Sequence, residues 1–232
     1  VVGGGPGGED CARDLAQNGL KVALVNDSAL PGGECLWRGC IPSKAWRVAA
    51  DRMADRADDA RLGVLGTDAP TLDWGVLEAE RRRILESRGG LARQTDTALK
   101  ITWIQGRGRF AGPHTLTVDP SGNTEDPHHR ADGGSGGGTH TLSFGCAVIA
   151  TGAPPFVPPI PGAREAVQRG DALTSDSVWF LAERPERIVI VGAGAIGAEM
   201  AQMFADFGSQ VTVLEGQDRI LAEVEPGIAA EL

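Results

Sequence analysis

Two glycine-rich runs set the terms for any fold of this chain. Gly3-Gly4-Gly5-Pro6-Gly7-Gly8 follows Val1-Val2, and Gly192-Ala193-Gly194-Ala195-Ile196-Gly197 follows the apolar run from Arg187 to Val191. Glycines fall at 3, 5 and 8 in the first run and at 192, 194 and 197 in the second, the spacing of a dinucleotide-binding turn. The missing side chains let backbone N–H groups approach a pyrophosphate at a helix N-terminus. One such run is a weak signal; two, each followed by a helical stretch and a short apolar strand, are a strong one. After the first, Glu9 to Gly19 predicts a helix with Ala12, Leu15 and Ala16 inward, and Lys21 to Val25 a buried parallel strand. After the second, Ala198 to Phe207 and Gln210 to Leu214 repeat the order. The expected class is α/β, with two Rossmann-like βαβ units built on mostly parallel sheet.

Such units place an acidic residue at the end of the second strand, where it accepts from ribose hydroxyls. In the first unit that position is Asn26, followed by Asp27; in the second it is Glu215. Asn26 accepts only through its amide oxygen, so Asp27 is a candidate substitute. Glu215 would accept from a ribose 2′-OH and repel a 2′-phosphate, and no Arg follows before Arg219, which favours NAD(H) over NADP(H).

Between the two runs lies Gly32-Gly33-Glu34-Cys35-Leu36-Trp37-Arg38-Gly39-Cys40-Ile41-Pro42-Ser43-Lys44. Of the cysteines at 11, 35, 40 and 146, only Cys35 and Cys40 are closely spaced. A zinc site needs four ligands at spacings this chain lacks, and in a reducing compartment a close pair reads as a catalytic dithiol. A helix is expected from Ile41 to about residue 60, with Pro42 suited to its first turn. The positive end of that helix favours a thiolate at Cys40, and Lys44, one turn on, adds a cation. Cys11 and Cys146 read as buried small hydrophobes.

The remaining segments predict a helical region from Thr71 to Leu99 interrupted near Gly89-Gly90, strands at Ile101–Gln105 and Thr115–Val118, and a long connection from Asp119 to Gly138. Thr141 to Phe144 should pair back. Ala147 to Ala150 should form a strand ending at Ala150-Thr151-Gly152. Proline-rich residues 154 to 161 cannot be regular helix or central strand, so they read as a domain linker. Arg81-Arg82-Arg83 reads as a solvated helix face. His128-His129 has no nearby Cys partner, and no metal site is expected.

A net charge of -9 over 232 residues argues against nucleic acid as a partner. No stretch approaches the roughly 18 apolar residues of a spanning helix, and no signal peptide is evident, so the expected compartment is the cytoplasm, with no membrane partner. The chain opens at the end of a strand and stops inside the second βαβ unit, so it reads as a fragment truncated at both ends.

Together, the glycine run at 3 to 8, the Cys35–Cys40 motif with its Ile-Pro-Ser-Lys tail, Ala150-Thr151-Gly152 and the glycine run at 192 to 197 resemble the class I pyridine nucleotide-disulfide oxidoreductases. The resemblance implies an FAD domain over residues 1–157, carrying the redox-active pair, and the N-terminal part of an NAD domain over 158–232. It implies FAD at Gly3, Gly5, Gly8, Asn26 or Asp27, Gly33, Lys44, Gly106 and Ala150-Thr151-Gly152, and NAD at Gly192, Gly194, Gly197 and Glu215. Cys40 would be the thiol that contacts the flavin, Cys35 the thiol that exchanges with an external small-molecule or protein-bound disulfide. Lys44 would lie near the flavin, paired with Glu199. The resemblance further implies a homodimer whose partner subunit supplies a His-Glu acid-base pair; none of His114, His128, His129 and His140 has a matching context. Glu34, Trp37 and Arg38 stand where Thr, Asn and Val are common. Dihydrolipoyl dehydrogenase-like chemistry is the first expectation, a mercuric reductase-like enzyme or a non-catalytic FAD-binding flavoprotein the alternatives.

Overall fold

The structure is a computed structural model that describes residues 1–59, 62, 70–120 and 138–230. In chain order the first elements are α1 (Pro6–Gln17), β1 (Ala23–Asn26), α2 (Gly33–Trp37), α3 (Cys40–Asp59) and α4 (Trp74–Ala98). Then come β2 (Thr102–Gln105), β3 (Arg107–Gly112), β4 (Thr115–Asp119), β5 (His140–Ser143) and α5 (Ala163–Arg169). A 3-10 turn at Val178–Phe180 leads to β6 (Arg187–Val191), α6 (Ala195–Asp206), β7 (Gln210–Leu214) and α7 (Pro226–Ala229). Contacts divide the chain into two compact units, Val1–Ile41 with Arg83–Asp176, and Pro42–Arg82 with Ser177–Leu232. The divisions fall within α3 and α4.

The first unit is built on a parallel layer. β1 and β2 pair in parallel, and Val2 bridges in parallel to Val25 on one side and to Ile149 on the other. Val2 N–H donates to Val148 O at 2.9 Å and Ala150 N–H to Val2 O at 2.8 Å, which places the expected 147–150 segment beside the N-terminal strand. Leu24 and Ala12 are fully buried, and Leu15 and Ala16 pack on the same cluster, the inward face expected of α1. Of the stretch from Gly106 to Phe110, expected to lie between strands, all but Gly106 is itself strand: β3, β4 and β5 form an antiparallel sheet. Its pairing partners lie downstream in sequence, so local pattern alone does not reveal it. Residues 121–137, with His128 and His129, lie outside the described residues.

The expected break in α4 at Gly89-Gly90 does not occur. Gly89 costs helix propensity but is buried against Trp37, where a Cβ would come 2.7 Å from the ring. Tertiary packing thus overrides a local helix-breaking signal. Residues 151–160 form neither helix nor strand, as the prolines require. Cys146 is exposed and Cys11 half-buried, so the expectation of two buried thiols fails; the strand expected at 147–150 is reduced to a single bridge between Ile149 and Val2.

α1 and α4 of this unit are joined by a buried ionic cluster. Glu9 pairs with Arg13, whose Nε donates to Asp96 Oδ1 at 2.8 Å and whose Nη2 donates to Ala92 O at 3.0 Å. Burial pushes the Glu9 carboxyl up to about 7; Arg13 opposes the rise, while Asp96 and Asp10 add to it. Between an unfolded value of 4.5 and a folded value near 7, the folded chain keeps a proton the unfolded chain has lost. Stability contributed by this proton is therefore complete below 4.5 and lost as pH rises through 7. Thermal melts at intervals across this window should show Glu9→Gln declining less steeply with rising pH than the wild type. Parallel slopes would remove Glu9 from the account.

The second unit holds β6 and β7, parallel and in register from Arg187↔Gln210 to Val191↔Leu214, with α6 between them in sequence. Its core is aromatic: Trp46 packs at ring-centroid distances of 5.0 Å to Trp74, 4.7 Å to Trp179 and 5.8 Å to Phe204. Polar edges of this cluster are satisfied. Trp46 Nε1 donates to Glu78 Oε1 at 2.8 Å, and Arg81 Nη2 donates to Glu78 Oε2 at 2.6 Å and to Trp179 O at 3.0 Å. Arg81 is 2% exposed, so the expected solvated face holds only for Arg82 and Arg83. The aliphatic stem and planar fork of arginine suit such a site, where it closes the aromatic core. Arg81→Ala would leave the mostly buried Glu78 carboxylate without its cation and should cost about 3 kcal/mol in urea denaturation. Arg82→Ala, on the exposed face, should change stability by no more than about 0.5 kcal/mol.

Candidate functional site

In the first unit the glycine run turns the N-terminal strand into α1 through contacts only glycine allows. Gly3 has φ 105°, and a Cβ there would lie 2.1 Å from Ala150 O. A Cβ on Gly8 would lie 1.9 Å from Gly3 O. Gly5 is the extended N-cap of α1, and no side chain caps the helix, so its first N–H groups face the loop uncovered by any cap. At the strand end, Asn26 Oδ1 accepts from Gly4 N–H at 2.9 Å, and Asn26 Nδ2 donates to Ser28 O at 3.3 Å. The neutral amide therefore ties down the glycine loop with its oxygen and a turn with its nitrogen.

The second unit repeats this geometry with different chemistry. Gly192 has φ 102°, Gly194 is the extended N-cap of α6, and a Cβ on Gly197 would lie 1.9 Å from Gly192 O. Glu215 accepts from Ala193 N–H at 2.6 Å and from Gln217 N–H at 2.9 Å. These backbone donors hold its carboxyl below the usual carboxylate range. Ala193 thus plays toward Glu215 the part Gly4 plays toward Asn26.

The cysteine motif sits directly on the first loop. Gly32 N–H donates to Gly4 O at 2.8 Å, and a Cβ on Gly33 would come 2.5 Å from Gly5 Cα. Gly32 and Gly33 both have positive φ, 114° and 49°, so backbone meets backbone where α2 begins. Cys35 lies within α2, and Cys40 is the first residue of α3. Cys35 is half-buried and Cys40 exposed. Burial first, then hydrogen bonding and charge interaction with Cys40, push the Cys35 thiol up to about 11. Arg38, between them, reaches Asp176 at 3.3 Å.

Several sequence candidates are therefore gathered in the first unit: Gly3, Gly5, Gly8, Asn26, Gly33, Cys35, Cys40 and Ala150. Gly106 joins them through its N–H, which donates to Asn26 O at 2.8 Å. Asp27 is exposed, and its backbone carbonyl accepts from Gln105 Nε2 at 3.5 Å. Thr151 and Gly152 are exposed beyond the Ala150 contact. In the second unit Lys44 Nζ and Glu199 Oε1 form an ion pair, with the Lys44 side chain 62% exposed. Sequence reasoning missed Gly4 and Gly32 as loop contacts. The run holds five glycines where the pattern requires three; of the two extra, a Cβ on Gly7 would meet nothing within 4 Å, whereas one on Gly4 would lie 2.9 Å from Asn26 Cγ and 3.1 Å from Trp103 Cη2.

This arrangement is that of an α/β dinucleotide-binding protein with a dithiol beside the first binding loop. The chain belongs to the pyridine nucleotide-disulphide oxidoreductase family, whose sequence profile matches residues 1–232. It is 34% identical over 234 residues to a dihydrolipoyl dehydrogenase of Bacillus subtilis, covering 100% of this chain and 46% of the relative. It is 30% identical over 230 residues to a glutathione reductase of Schizosaccharomyces pombe, covering 99% of this chain and 46% of that one. The solved structure of the HOCl-induced flavoprotein disulfide reductase RclA from Escherichia coli superposes with a TM-score of 0.75 at 27% identity, over 99% of this chain and 44% of RclA. The chain spans about half the length of the curated relatives it matches.

The Cys35 environment leads to a direct test. Alkylation by iodoacetamide requires the thiolate, so the rate at Cys35 should climb about tenfold per pH unit from 8 to 10. Cys40→Ser removes one source of the rise, and the Cys35 midpoint should fall from about 11 toward, without reaching, the ordinary 9.0, because burial persists. A rate at Cys35 that levels off below pH 9 would contradict this environment.

Proposed function

We propose that the chain is the FAD-binding region and part of the NAD-binding region of a flavin-dependent dithiol/disulfide oxidoreductase. The carrying observation is the backbone contact of Gly33 with Gly5, which joins the Cys35–Cys40 motif to the first glycine loop. FAD is assigned to residues 1–157 and NAD(H) to residues 158–232. The fit rests on the cradle itself: at Gly3, Gly8 and Gly197 any Cβ would meet a backbone oxygen within 2.1 Å, and both α1 and α6 begin without a side-chain cap. Such helix starts suit pyrophosphate groups.

Gly3, Gly5, Gly8, Asn26, Asp27, Gly33, Gly106 and Ala150-Thr151-Gly152 would hold FAD; Gly192, Gly194, Gly197 and Glu215 would hold NAD. FAD, when bound, supplies the capacity to exchange electrons between a nicotinamide and a dithiol. The chain's own groups divide the thiol work. Cys35, with its thiol held protonated at neutral pH, suits the sulfur that exchanges with an outside disulfide once a base takes its proton. Cys40, at the N-terminus of α3, suits the sulfur turned to the flavin. Lys44 and its partner Glu199 are the proposed cation and acid near the flavin. Glu215, already committed as an acceptor, favours NAD over NADP because a 2′-phosphate would meet its charge.

The named relatives include dihydrolipoyl dehydrogenases and a glutathione reductase, so a small-molecule or protein-bound disulfide is the proposed substrate class. Dihydrolipoyl dehydrogenase-like use of NAD is the reading preferred here because of Glu215. The intact protein is proposed to be a cytoplasmic homodimer; among the described residues no helix is long and apolar enough to cross a membrane. The division of labour is tested spectroscopically in FAD-loaded protein. Cys35→Ser should show a long-wavelength thiolate-to-flavin absorbance that bleaches on acidification, and Cys40→Ser should show none. The reverse pattern exchanges the roles, and absence from both variants ends the proposal that a thiol contacts the flavin.

A further inference from the structure

α2 has little of its own to hold it in place. It runs only from Gly33 to Trp37, with no side-chain cap at its start, and a helix this short is not stable by itself. Its last residue provides the anchor. Trp37 is 8% exposed, its Nε1 donates to Pro31 O at 3.0 Å, and its ring lies on Gly89 of α4. A Cβ on Gly89 would stand 2.7 Å from Cζ2 and 3.0 Å from Cη2 of that ring, whereas a Cβ on Gly90 would meet nothing within 4 Å. Of two adjacent glycines in one helix, only Gly89 is required by a neighbour. Leu36 and Leu85 close the same cluster, with Leu30 and Ile41 against it.

Cys35 lies two residues before Trp37 on this short helix, so the seat of the indole sets where the Cys35 sulfur stands relative to Cys40. We propose that Trp37 and Gly89 are a positioning pair that sets the redox poise of Cys35–Cys40. The inference rests on the dithiol reading above. A disulfide demands a narrow geometry, and departures from it make the bond easier to reduce. Moving the indole would move α2, strain the S–S bond and shift the equilibrium toward the dithiol.

The test is an equilibrium between the full chain and glutathione. Cys35 and Cys40 give up two protons and two electrons as the S–S bond forms, and one glutathione disulfide takes them up to become two glutathione thiols. The oxidised fraction is read by alkylation and mass mapping of the peptide that carries both cysteines. Gly89→Ala should lower the equilibrium constant for oxidation about tenfold, the scale on which strain acts on such bonds. Gly90→Ala should leave it unchanged. Phe lacks the ring edge that a Gly89 methyl would strike, so Trp37→Phe with Gly89→Ala should return the constant to within about twofold of wild type. Trp37→Phe alone, which empties the space over Gly89, should shift it and serves where Gly89→Ala does not fold.

A reversible wild-type pair whose poise ignores Gly89→Ala, or ignores Trp37→Phe where that variant is used, overturns the inference and leaves the dithiol reading standing. A double variant that keeps the shifted poise also overturns it. Failure of the wild-type thiols to form any reversible disulfide removes the dithiol reading, and the inference with it.

Discussion

In each half of this chain two glycines of one turn come too close together for a side chain between them. Gly8 approaches Gly3 O, and Gly197 approaches Gly192 O, so tightly that a Cβ would lie 1.9 Å from the oxygen in either case. A helix can start this close to the strand that precedes it only if the approaching residue has no side chain. Everything else in the sites follows from that approach. It sets the start of α1 and α6, turns their first N–H groups toward the loop, and brings the loop backbone within reach of the residue ending the next strand.

At that strand end the two units differ, and the difference is chemical rather than geometric. Asn26 and Glu215 each accept from the N–H of the residue after the first glycine, Gly4 or Ala193. An amide oxygen can do this as well as a carboxylate oxygen, so the loop tolerates Asn26 without losing its anchor. What the amide lacks is the second acceptor and the charge. Glu215 retains both, with its other oxygen held by Gln217 N–H.

The dithiol motif depends on the same economy of side chains. Gly32 and Gly33 let α2 start on top of the first loop, and Gly89 lets Trp37 sit on α4. Cys35 therefore occupies a place defined by glycines on three separate segments. Its raised thiol reflects that place: burial comes first among the causes, and the proximity of Cys40 second. The Lys44–Glu199 pair is different in kind. With Lys44 62% exposed, it contributes little to stability as an isolated contact.

Much of this is legible in the sequence. The glycine spacing, the apolar strands and the cysteine pair are local patterns, and local patterns report backbone conformation and chemistry directly. They located α1, α6, β6 and β7, and the start of α3 to within one residue, Ile41 expected where the helix begins at Cys40. They failed where a distant partner decided the outcome. Gly89-Gly90 reads as a helix break until Trp37 fills the space over Gly89; Arg81 reads as solvated until Glu78 and Trp179 O receive it; residues 107–110 read as a connection until β4 pairs with them. Sequence by itself determined which segments could bend, bind and carry thiols, because those properties belong to single residues and their near neighbours. Only tertiary structure decided which glycines were compulsory and which charges were buried, because close approach and exclusion of water arise between segments far apart in the chain.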